Sequence, residues 1–360
     1  MTDIKPIYSQ SGDAPLLIAG PCSAESREQT LTTASLLAEI GVKIFRAGVW
    51  KPRTKPGGFE GVGSIALGWL KEVKDKTGMA TATEIATPSH LHEALEADVD
   101  IFWIGARTTA NPFAVQLIAD ALAQYPESRR DRMAVLVKNP INADIELWIG
   151  AMERIYNAGI RKLGAIHRGF SSYGPHIFRN PPIWKIPLEF HRRLPDVTLL
   201  CDPSHIGGKR ELVLPLAHKA LNMNFDGLII ESHCSPESAL SDMHQQLLPN
   251  DLTPLMHSLS TPRNRNFSTN TIETLRRTID DIDDKLIETL AKRMEVAREI
   301  GKLKRVNDIP VVQKDRYNEL ITRHTASAEN AGLNPDFVLR LLAEIHEESV
   351  RQQIEINETE

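Results

Sequence analysis

The sequence predicts a (β/α)8 barrel, or TIM barrel, followed by a small all-α three-helix domain. Eight short apolar runs alternate with helical segments between residue 16 and about residue 260. The runs are apolar throughout, which is typical of parallel strands that are buried on both faces. Beyond residue 270 only helical periodicities remain. Eight βα units in about 245 residues match the size of such a barrel, and a doubly wound open sheet is the alternative.

Length and composition limit the class of protein. The chain has 360 residues, of which 41% are apolar and 25% charged, and its formal net charge is −5. These values predict a soluble globular protein of two domains and give no reason to expect nucleic acid as a partner. No run approaches the ~20 apolar residues of a membrane span, and the first residues lack a signal-peptide pattern. Three cysteines, an odd number, fit a reducing cytoplasm better than a disulfide framework.

The predicted strands bring the candidate functional residues of the barrel to one face. Each candidate ends a strand or lies in the loop after it, and in this fold all such ends converge on the face that carries active sites. The predicted strands are Leu16–Cys22, Val42–Val49, Met79–Ile85, Ile101–Arg107, Ala134–Lys138, Lys162–Arg168, Thr198–Asp202 and Gly227–Glu231. Helical patterns follow the strands, for example at Asn111–Gln124, Asp144–Asn157, Glu211–Met223 and Ser241–Leu248.

A polar, turn-rich segment, Ser260–Asn270, predicts a linker between the two domains. We expect the barrel at residues 1–260, the linker at 261–270 and the helical domain at 271–360. Apolar residues then recur every three or four positions on one helix that runs to about Arg305, and Asn334 and Pro335 open a last helix. The long helix spans on the order of 35 residues, or ~50 Å, which one small domain cannot cover, so we predict a homodimer. The apolar positions are Ile272, Leu275, Ile279, Ile282, Leu286, Leu290 and Met294.

Four residues at the predicted face form a mixed set of metal ligands. They are a thiol, an imidazole and two carboxylates, a combination that divalent transition metals accept. Each residue also has an ordinary explanation, such as a buried small side chain, a solvated turn, a paired carboxylate or a helix cap. Those explanations do not account for four such residues on one face, so we predict a metal site. The residues are Cys22, His205, Glu231 and Asp242.

Six cationic residues end or follow the same predicted strands. Arginine is a fork-shaped donor to phosphate and carboxylate, and lysine is a point charge for the same anions. Six cations at one rim would repel each other unless anionic ligands lay between them, and two phosphates and a carboxylate would be a suitable load. The residues are Arg46, Lys51, Arg53, Arg107, Lys138 and Arg168.

Polar residues also interrupt the apolar pattern of the helical domain. Arg293 and Lys304 are about three turns apart, so they share a helix face. Arg276 lies roughly 100° away from Arg293 around the helix, and a dimer would let it enter the neighbour's site. The remaining candidates are Arg316 in the next segment and Ser349 and Gln353, spaced i, i+4 on the last helix.

Along residues 15–260 the motifs GPCSAES, KPRT, IGART, KNP and DPSH occur in an order that resembles the 3-deoxy-D-arabino-heptulosonate 7-phosphate (DAHP) synthases. The resemblance is to the short class shared with the 3-deoxy-octulosonate phosphate synthases. It implies condensation of phosphoenolpyruvate with erythrose 4-phosphate at a divalent metal (Mn, Fe, Co or Zn). An octulosonate synthase that uses arabinose 5-phosphate is the alternative. KPRT argues against it, because that branch typically carries an Asn-containing loop there.

The same resemblance implies a role for each residue. The metal, held by Cys22, His205, Glu231 and Asp242, would polarise the aldehyde as a Lewis acid. Lys51, Glu84 and Lys138 would be catalytic, with Glu84 or Lys138 steering the water that adds at C2 before phosphate leaves. The residues around phosphoenolpyruvate would be Arg46, Lys51, Glu84, Arg107, Lys138 and Arg168. Those that hold erythrose 4-phosphate would be Lys51, Pro52, Arg53 and Thr54.

Residues 268–356 resemble the all-helical chorismate mutases, intertwined dimers that convert chorismate to prephenate without a cofactor. In such a site the substrate is oriented, and the charge that develops at the breaking C–O bond is stabilised. The implied residues are Arg276 reaching across the dimer, Arg293, Lys304 and Arg316 on the two carboxylates, Ser349 as a polar contact, and Lys304 and Gln353 on the ether oxygen. The chain departs from the family at Gln313 and Tyr317, where acidic residues often handle the substrate hydroxyl.

Together the two resemblances predict a bifunctional enzyme of aromatic amino-acid biosynthesis. The alternative is a synthase whose helical module is catalytically weak or dead and serves dimerisation or regulation, and the intact cationic set argues against it. We also predict feedback inhibition by prephenate or chorismate bound in the helical domain. The barrel pattern begins near residue 15, which leaves no room for a regulatory domain before it.

Overall fold

Eight parallel strands pair in chain order and close on themselves in the first of two units, Met1–Pro262. The strands are β1 (Leu16–Gly20), β2 (Ile44–Arg46), β3 (Ala80–Ile85), β4 (Ile101–Ile104), β5 (Ala134–Lys138), β6 (Lys162–His167), β7 (Thr198–Cys201) and β8 (Gly227–Glu231). β1 and β8 close the ring, in register from Leu16 with Gly227 to Gly20 with Glu231. The predicted barrel is confirmed. The open-sheet alternative is wrong, because an open sheet has no such pair.

The structure is a computed structural model in which the chain forms two compact units. It describes residues 1, 3–8, 14–51, 57–174, 176–260, 269–312, 319, 323–324, 327–328 and 330–358. Several residues singled out above lie outside these ranges, namely Pro52, Arg53, Thr54, Gln313, Arg316 and Tyr317.

Helices follow the strands of the ring, and polar side chains cap the starts of several. Asn111 caps α5 (Pro112–Ala123) and Asp144 caps α7 (Ile145–Asn157), each by accepting hydrogen bonds from backbone N–H groups of the first turn. The other helices of this unit are α1 (Arg27–Glu39), α2 (Ile65–Thr77), α3 (Pro88–Glu96), α4 (Ala106–Thr109), α6 (Glu127–Arg130), α8 (Lys185–Arg193), α9 (Pro203–Gly207), α10 (Arg210–Asn222) and α11 (Thr253–Ser260).

The predicted helix Ser241–Leu248 is wrong, because this segment is an irregular loop. Asp242 has a φ of +49°, in the left-handed region that a right-handed helix excludes. Leu247 instead pairs beside the end of β8, where its N–H donates to the Glu231 carbonyl and its carbonyl accepts from the His233 N–H. The backbone N–H and C=O of Leu247, which a helix would need, are therefore hydrogen-bonded to the end of β8 and the residues after it.

Three strands are shorter than predicted by two or more residues, and β3, β6 and β7 are shorter by one. β1 ends two residues before Cys22, β2 covers only the centre of Val42–Val49, and β4 ends at Ile104, so that Arg107 lies on α4. The β1–β2 pairing resumes only as an isolated bridge between Ser23 and Gly48. The chain thus leaves the sheet at the rim, where loops carry the side chains that face the barrel mouth.

Ile7 fills the barrel interior from the end where the strands begin. It is buried together with Leu16, Ile101 and Ala134, each of which starts a strand. Lys5 anchors the segment by a parallel bridge to Lys162. The sequence reasoning does not assign a structure to these first residues.

The second unit, Arg263–Glu360, has α12 (Thr269–Val306) and α13 (Pro335–Glu358) as its long elements, and its described residues form helices joined by turns. The predicted start of the last helix is confirmed, because Asn334 Oδ1 accepts a hydrogen bond from Phe337 N at 3.0 Å. Apolar side chains of α12 remain exposed along one stripe, including Leu275 and Leu286. No helix in the described parts of the chain is long and apolar enough to cross a membrane.

Candidate active sites

The first and last strands bring three predicted metal ligands to one point. β1 ends at Gly20, which pairs with Glu231 at the end of β8, and Cys22 and Asp242 lie on the loops that follow. One ligand atom from each of Cys22, Glu231 and Asp242 lies within 4.8 Å of the others, and Cys22 Sγ is 3.3 Å from Asp242 Oδ2. His205, on α9, places Nε2 3.8 Å from Glu231 Oε1. The four candidates therefore share one site.

The fully buried Asp202 orients two of the predicted residues. Its side chain caps α9 by accepting from His205 N at 3.0 Å, and its Oδ2 lies 2.8 Å from both His205 Nδ1 and Lys138 Nζ. Burial alone would raise the pKa of Asp202, but the cationic forms of His205 and Lys138 hold it well below its ordinary value. The sequence reasoning misses Asp202 as a site residue, although it is the first residue of the DPSH motif.

The electrostatics of the four residues fit a divalent cation. Burial, and next the charge of Glu231, raises the pKa of Cys22 to about 12. Burial also lowers the pKa of His205, which favours the neutral imidazole that metals bind. Glu231 Oε1 is buried and accepts no hydrogen bond from the described residues. A mixed S, N and O donor set with a carboxylate oxygen that accepts no hydrogen bond suits a transition metal, whose charge would convert the thiol to thiolate.

Three further residues support this centre without being marked by the sequence. Arg179, Gln245 and Gln246 hydrogen-bond to the carboxylates and to the backbone of the ligand segments. Arg179 lies in a loop without periodicity, and the two glutamines lie in the segment with a helical pattern. Only their closeness in sequence to Asp242 could have singled out the glutamines.

Two of the predicted cations are buried beside Cys22, His205, Glu231 and Asp242, which together are called the metal-ligand cluster. Arg46 is 1% exposed, and its Nη2 lies 3.2 Å from Cys22 O and 3.4 Å from Glu231 Oε1. Its guanidinium carbon lies 4.8 Å from the centre of the Trp103 ring, and Lys138 Nζ lies 5.9 Å from the same ring. The indole ring thus stabilises both cations, which would otherwise repel each other.

Glu84 and Lys51 line a cavity of about 220 Å³ next to these cations, together with Trp50, Glu60, Ala86 and His90. Trp103 Nε1 donates to Glu84 Oε2 at 3.0 Å. Burial alone would lower the pKa of Lys51, but the nearby Cys22 and Glu84 raise it above its ordinary value, so the ammonium persists. A carboxylate and an ammonium therefore face one small cavity.

Arg107 and Arg168 extend the positive charge outward at the rim. Burial lowers the pKa of Arg168 to about 10, although Asp202 opposes the shift, and the cations Arg179 and Arg107 lower it further. Arg107 is exposed on α4. A buried guanidinium with cationic neighbours indicates a site that is stabilised when an anion lies between the guanidinium groups.

In the helical unit, four predicted residues lie between α12 and α13. Arg293 donates to the Ser349 hydroxyl and, at 3.5 Å, to Ile345 O. Gln353 Nε2 donates to Ser349 O at 3.2 Å, whereas Gln353 Oε1 is buried and accepts no hydrogen bond from the described residues. Lys304 Nζ donates to Val311 O at 2.7 Å. Arg293, Ser349 and Gln353 therefore meet where α12 and α13 pack together.

Two other residues bear on this site. Arg276 is exposed and pairs with Glu273 at 2.7 Å on its own helix, so the structure does not bring it to the other candidates. His346, which the sequence reasoning misses, lies three residues before Ser349. Burial lowers its pKa, and the charges of Arg293 and Lys304 lower it further. His346 therefore shares their electrostatic environment.

Comparison with known proteins follows the same division of the chain. Residues 3–263 match the family model of the DAHP synthetase I family, and residues 275–354 match that of chorismate mutase type II. A phospho-2-dehydro-3-deoxyheptonate aldolase of Thermotoga maritima is 38% identical over 231 residues, which are 64% of this chain and 64% of the relative. A 2-dehydro-3-deoxyphosphooctonate aldolase of Geobacter sulfurreducens is 29% identical over 269 residues, 69% of this chain and 92% of the relative.

Solved structures agree with these matches. The crystal structure of the Thermotoga maritima DAHP synthase superposes with a TM-score of 0.59 and 33% identity, covering 68% of this chain and 67% of that one. A truncated form of the enzyme gives a TM-score of 0.57 and 32% identity, covering 68% of this chain and 84% of that one. The first family model spans more than half of the chain, so the chain belongs to the DAHP synthetase I family and carries in addition a C-terminal segment that matches chorismate mutase type II.

Proposed function

We propose that the barrel condenses phosphoenolpyruvate with erythrose 4-phosphate to DAHP and phosphate, with a divalent metal, and that the helical unit rearranges chorismate to prephenate. The observation that carries the first activity is the meeting of Cys22, His205, Glu231 and Asp242 beside the buried cations Arg46 and Lys138. The family matches support both activities.

The residues of the barrel have complementary tasks in this reaction. The metal, when bound, would supply Lewis acidity at the aldehyde oxygen. Arg46, Lys138 and the outer arginines would bind the phosphate and carboxylate of phosphoenolpyruvate, since they are cations beside the metal-ligand cluster and at the rim of the barrel. Glu84, held by Trp103, would orient the water that adds at C2. Lys51, which stays protonated, would donate a proton to the oxygen formed from the aldehyde.

Metal removal tests the barrel proposal. Full-length protein should lose phosphate release after chelation and regain it with Mn²⁺, and Cys22→Ala should weaken metal binding because it removes the sulfur ligand. Full synthase activity in metal-free protein would remove the assignment.

The sugar phosphate is the point on which the barrel proposal has a competitor. Relatives named 2-dehydro-3-deoxyphosphooctonate aldolase match the same region at 26–29% identity, and the octulosonate reaction would use arabinose 5-phosphate. The KPRT motif favours the four-carbon sugar. Parallel assays with erythrose 4-phosphate and arabinose 5-phosphate decide, and a higher kcat/KM with the five-carbon sugar would overturn our choice.

For the helical unit, Arg293, Lys304 and Gln353 support orientation and charge stabilisation of a dicarboxylate, with Gln353 positioned as a buried amide. Formation of prephenate should be present in the wild type and fall on Arg293→Ala. The alternative is a weak or inactive module kept for dimerisation or regulation, and it predicts no prephenate from either protein.

A second copy of the chain would cover the exposed stripe of α12. Ile279, Ile282 and Leu286 are each about half exposed on a helix of 38 residues, and water contact at that many apolar side chains is costly. Association would also bring Arg276 to a neighbour's site. Sedimentation of the full chain should give a dimer, and a monomer at micromolar concentration would contradict this.

We further propose that prephenate or chorismate bound in the helical unit inhibits the barrel. The support is the presence of a dicarboxylate-type site on the same chain as the synthase site. Synthase kinetics measured with saturating prephenate test it, and unchanged kcat and KM would refute it. Arg293→Ala should abolish the inhibition while leaving the uninhibited synthase rate intact.

A further inference from the structure

Each of the two carboxylates in the metal-ligand cluster has one oxygen engaged and one oxygen left toward the centre. Glu231 Oε2 accepts from Gln245 Nε2 at 2.7 Å, and Asp242 Oδ1 accepts from Arg179 Nη1 at 3.0 Å. Of the remaining oxygens, Glu231 Oε1 accepts no hydrogen bond from the described residues, although Arg46 Nη2 forms an ion pair with it at 3.4 Å. Asp242 Oδ2 accepts only from the predicted metal ligand Cys22, whose Sγ lies 3.3 Å away. Both carboxylates are therefore arranged to present a single oxygen.

Gln245 connects these two hydrogen bonds. Arg179 Nη1, which binds Asp242, also donates to Gln245 Oε1 at 2.7 Å. A donor at one end of the amide and a carboxylate at the other allow only one orientation of the side chain, with its NH₂ group toward Glu231. Gln245 is 1% exposed, so water does not compete for either bond. Asp242, Arg179, Gln245 and Glu231 thus form one continuous chain of hydrogen bonds around the cluster.

The neighbouring Gln246 fixes the third ligand segment. Its Oε1 accepts from Cys22 N at 2.9 Å, and its Nε2 donates to Ser241 O at 2.8 Å, so it joins the loop after β1 to the loop after β8. Both glutamine side chains are buried and hydrogen-bonded to the segments that carry the ligands. The loop therefore contacts the metal-ligand cluster and does not add a helix to the outer layer of the barrel.

We propose that Gln245 is a positioning residue of the metal centre, which holds one oxygen of Glu231 so that the carboxylate binds a divalent transition metal through the other oxygen alone. The proposal rests on the metal centre proposed above. Outer hydrogen bonds to metal ligands set ligand orientation, and their loss typically costs about 10–100-fold in metal affinity. Gln245 would therefore determine both the affinity for the metal and the coordination number around it.

The chain offers a matched control on its outer surface. Gln116, on α5, accepts from Arg154 Nη1 at 2.6 Å and donates to Asp120 Oδ1 at 2.7 Å. An arginine, a glutamine and a carboxylate are thus linked here as they are at Gln245, but none of these residues is a predicted metal ligand. Gln116→Met removes the same two kinds of hydrogen bond as Gln245→Met. Because Gln116 is more exposed than Gln245, the thermal unfolding of each variant is measured beside its metal affinity, and a specific effect on the metal should appear only in Gln245→Met.

The experiment titrates Co²⁺ into metal-free, full-length wild type, Gln245→Met and Gln116→Met. Affinity is measured by competition with a chelator, and the absorption spectrum reports thiolate ligation and coordination number. We expect the Co²⁺ Kd of Gln245→Met to rise about 10–100-fold. Its ligand-field bands should weaken as Glu231 becomes bidentate, while Gln116→Met should behave as the wild type. If Gln245→Met does not fold, Gln245→Asn, which keeps the amide but shortens its reach, should show a smaller loss.

The outcomes separate this proposal from the one on which it rests. Wild-type protein without a thiolate-to-Co²⁺ band would overturn the metal centre and the role of Gln245 together. A wild-type band combined with an unchanged Kd and spectrum in the Gln245 variants would overturn only the positioning role. Equal losses of affinity in the Gln116 and Gln245 variants would also overturn it, because the effect would then lie in folding.

Discussion

Gly105→Ala should damage the barrel reaction by moving one carboxylate rather than by unfolding the protein. A Cβ at residue 105 would lie 2.1 Å from Glu84 Oε1 and 2.9 Å from Glu84 Cδ. The backbone φ of Gly105 is −70°, so alanine itself is not strained there. The atoms that must move are the far end of a flexible side chain, which faces a cavity with room for it. The Glu84 carboxylate should therefore move, while the backbone of the barrel stays in place.

The size of the effect follows from the distances. Glu84 Oε1 must retreat by more than 1 Å to reach an ordinary contact, and this breaks the 3.0 Å hydrogen bond from Trp103 Nε1. A hydrogen bond to a charged group contributes about 1.5–3 kcal/mol, which corresponds to roughly 10–150-fold in rate if the bond serves the transition state. A displacement of about 1 Å at a reacting group costs a similar factor, ~100-fold. We therefore expect kcat/KM for DAHP formation to fall about 10–150-fold.

The assay is DAHP formation by Gly105→Ala, Glu84→Gln and the double variant, with Gly68→Ala as control. A Cβ at Gly68, on α2, meets nothing within 4 Å, so this variant should keep full activity. If Gly105→Ala acts through Glu84, the double variant should be no slower than Glu84→Gln, because the two losses share one cause. Additive losses in the double variant, or Gly105→Ala within twofold of the wild type, would refute the reasoning.

Three other predictions test separate parts of the chain. Burial lowers the pKa of His167 to about 3, whereas the unfolded chain protonates it near 6.5. The free energy of unfolding should therefore decrease as the pH falls through this window, by up to about 1.4 kcal/mol per pH unit. Denaturant unfolding of His167→Phe from about pH 4 to 7 should show a slope smaller by one proton, and an identical slope would contradict this. Leu286→Asp, on the exposed stripe of α12, should convert a dimer to monomers in sedimentation, while the charge reversal Lys285→Asp should not. A Cβ at Gly301 would meet Gln353 Cγ at 3.0 Å, so Gly301→Ala should lower prephenate formation severalfold and leave DAHP formation unchanged.

The barrel could be predicted from the sequence because its strands are buried on both faces. Such strands are continuous apolar runs that stand out from amphipathic helices, and all eight are present near the predicted positions. The metal-ligand candidates could be found because strand ends share one face in this fold. Asp242 differs from the other candidates, because it lies on an irregular loop whose apolar spacing resembles that of a helix.

The residues that the sequence did not reveal act through other side chains. Gln245 and Arg179 hydrogen-bond to the side chains of the predicted metal ligands and to each other. Glutamine and arginine are common on helix surfaces, so neither residue stands out in the sequence. Trp103 is one of four apolar residues in β4, so the sequence gives it no distinctive role. Only the closed barrel shows that its indole contacts Glu84 and Arg46. Side-chain hydrogen bonds between distant segments depend on the whole fold, which periodicity does not encode.

The ring closes between its first and last strands, and this seam has a consequence for the order of assembly. Cys22 follows β1 and Glu231 ends β8, so a growing chain holds the first ligand early but must be synthesised through the eighth strand before the second exists. A half-barrel fragment cannot keep the centre, whichever half it is. A metal bound there would join the two ends of the sheet across the seam and oppose reopening of the ring, because binding to the closed form alone stabilises it. Loading of the metal would thus be the step that marks a finished barrel.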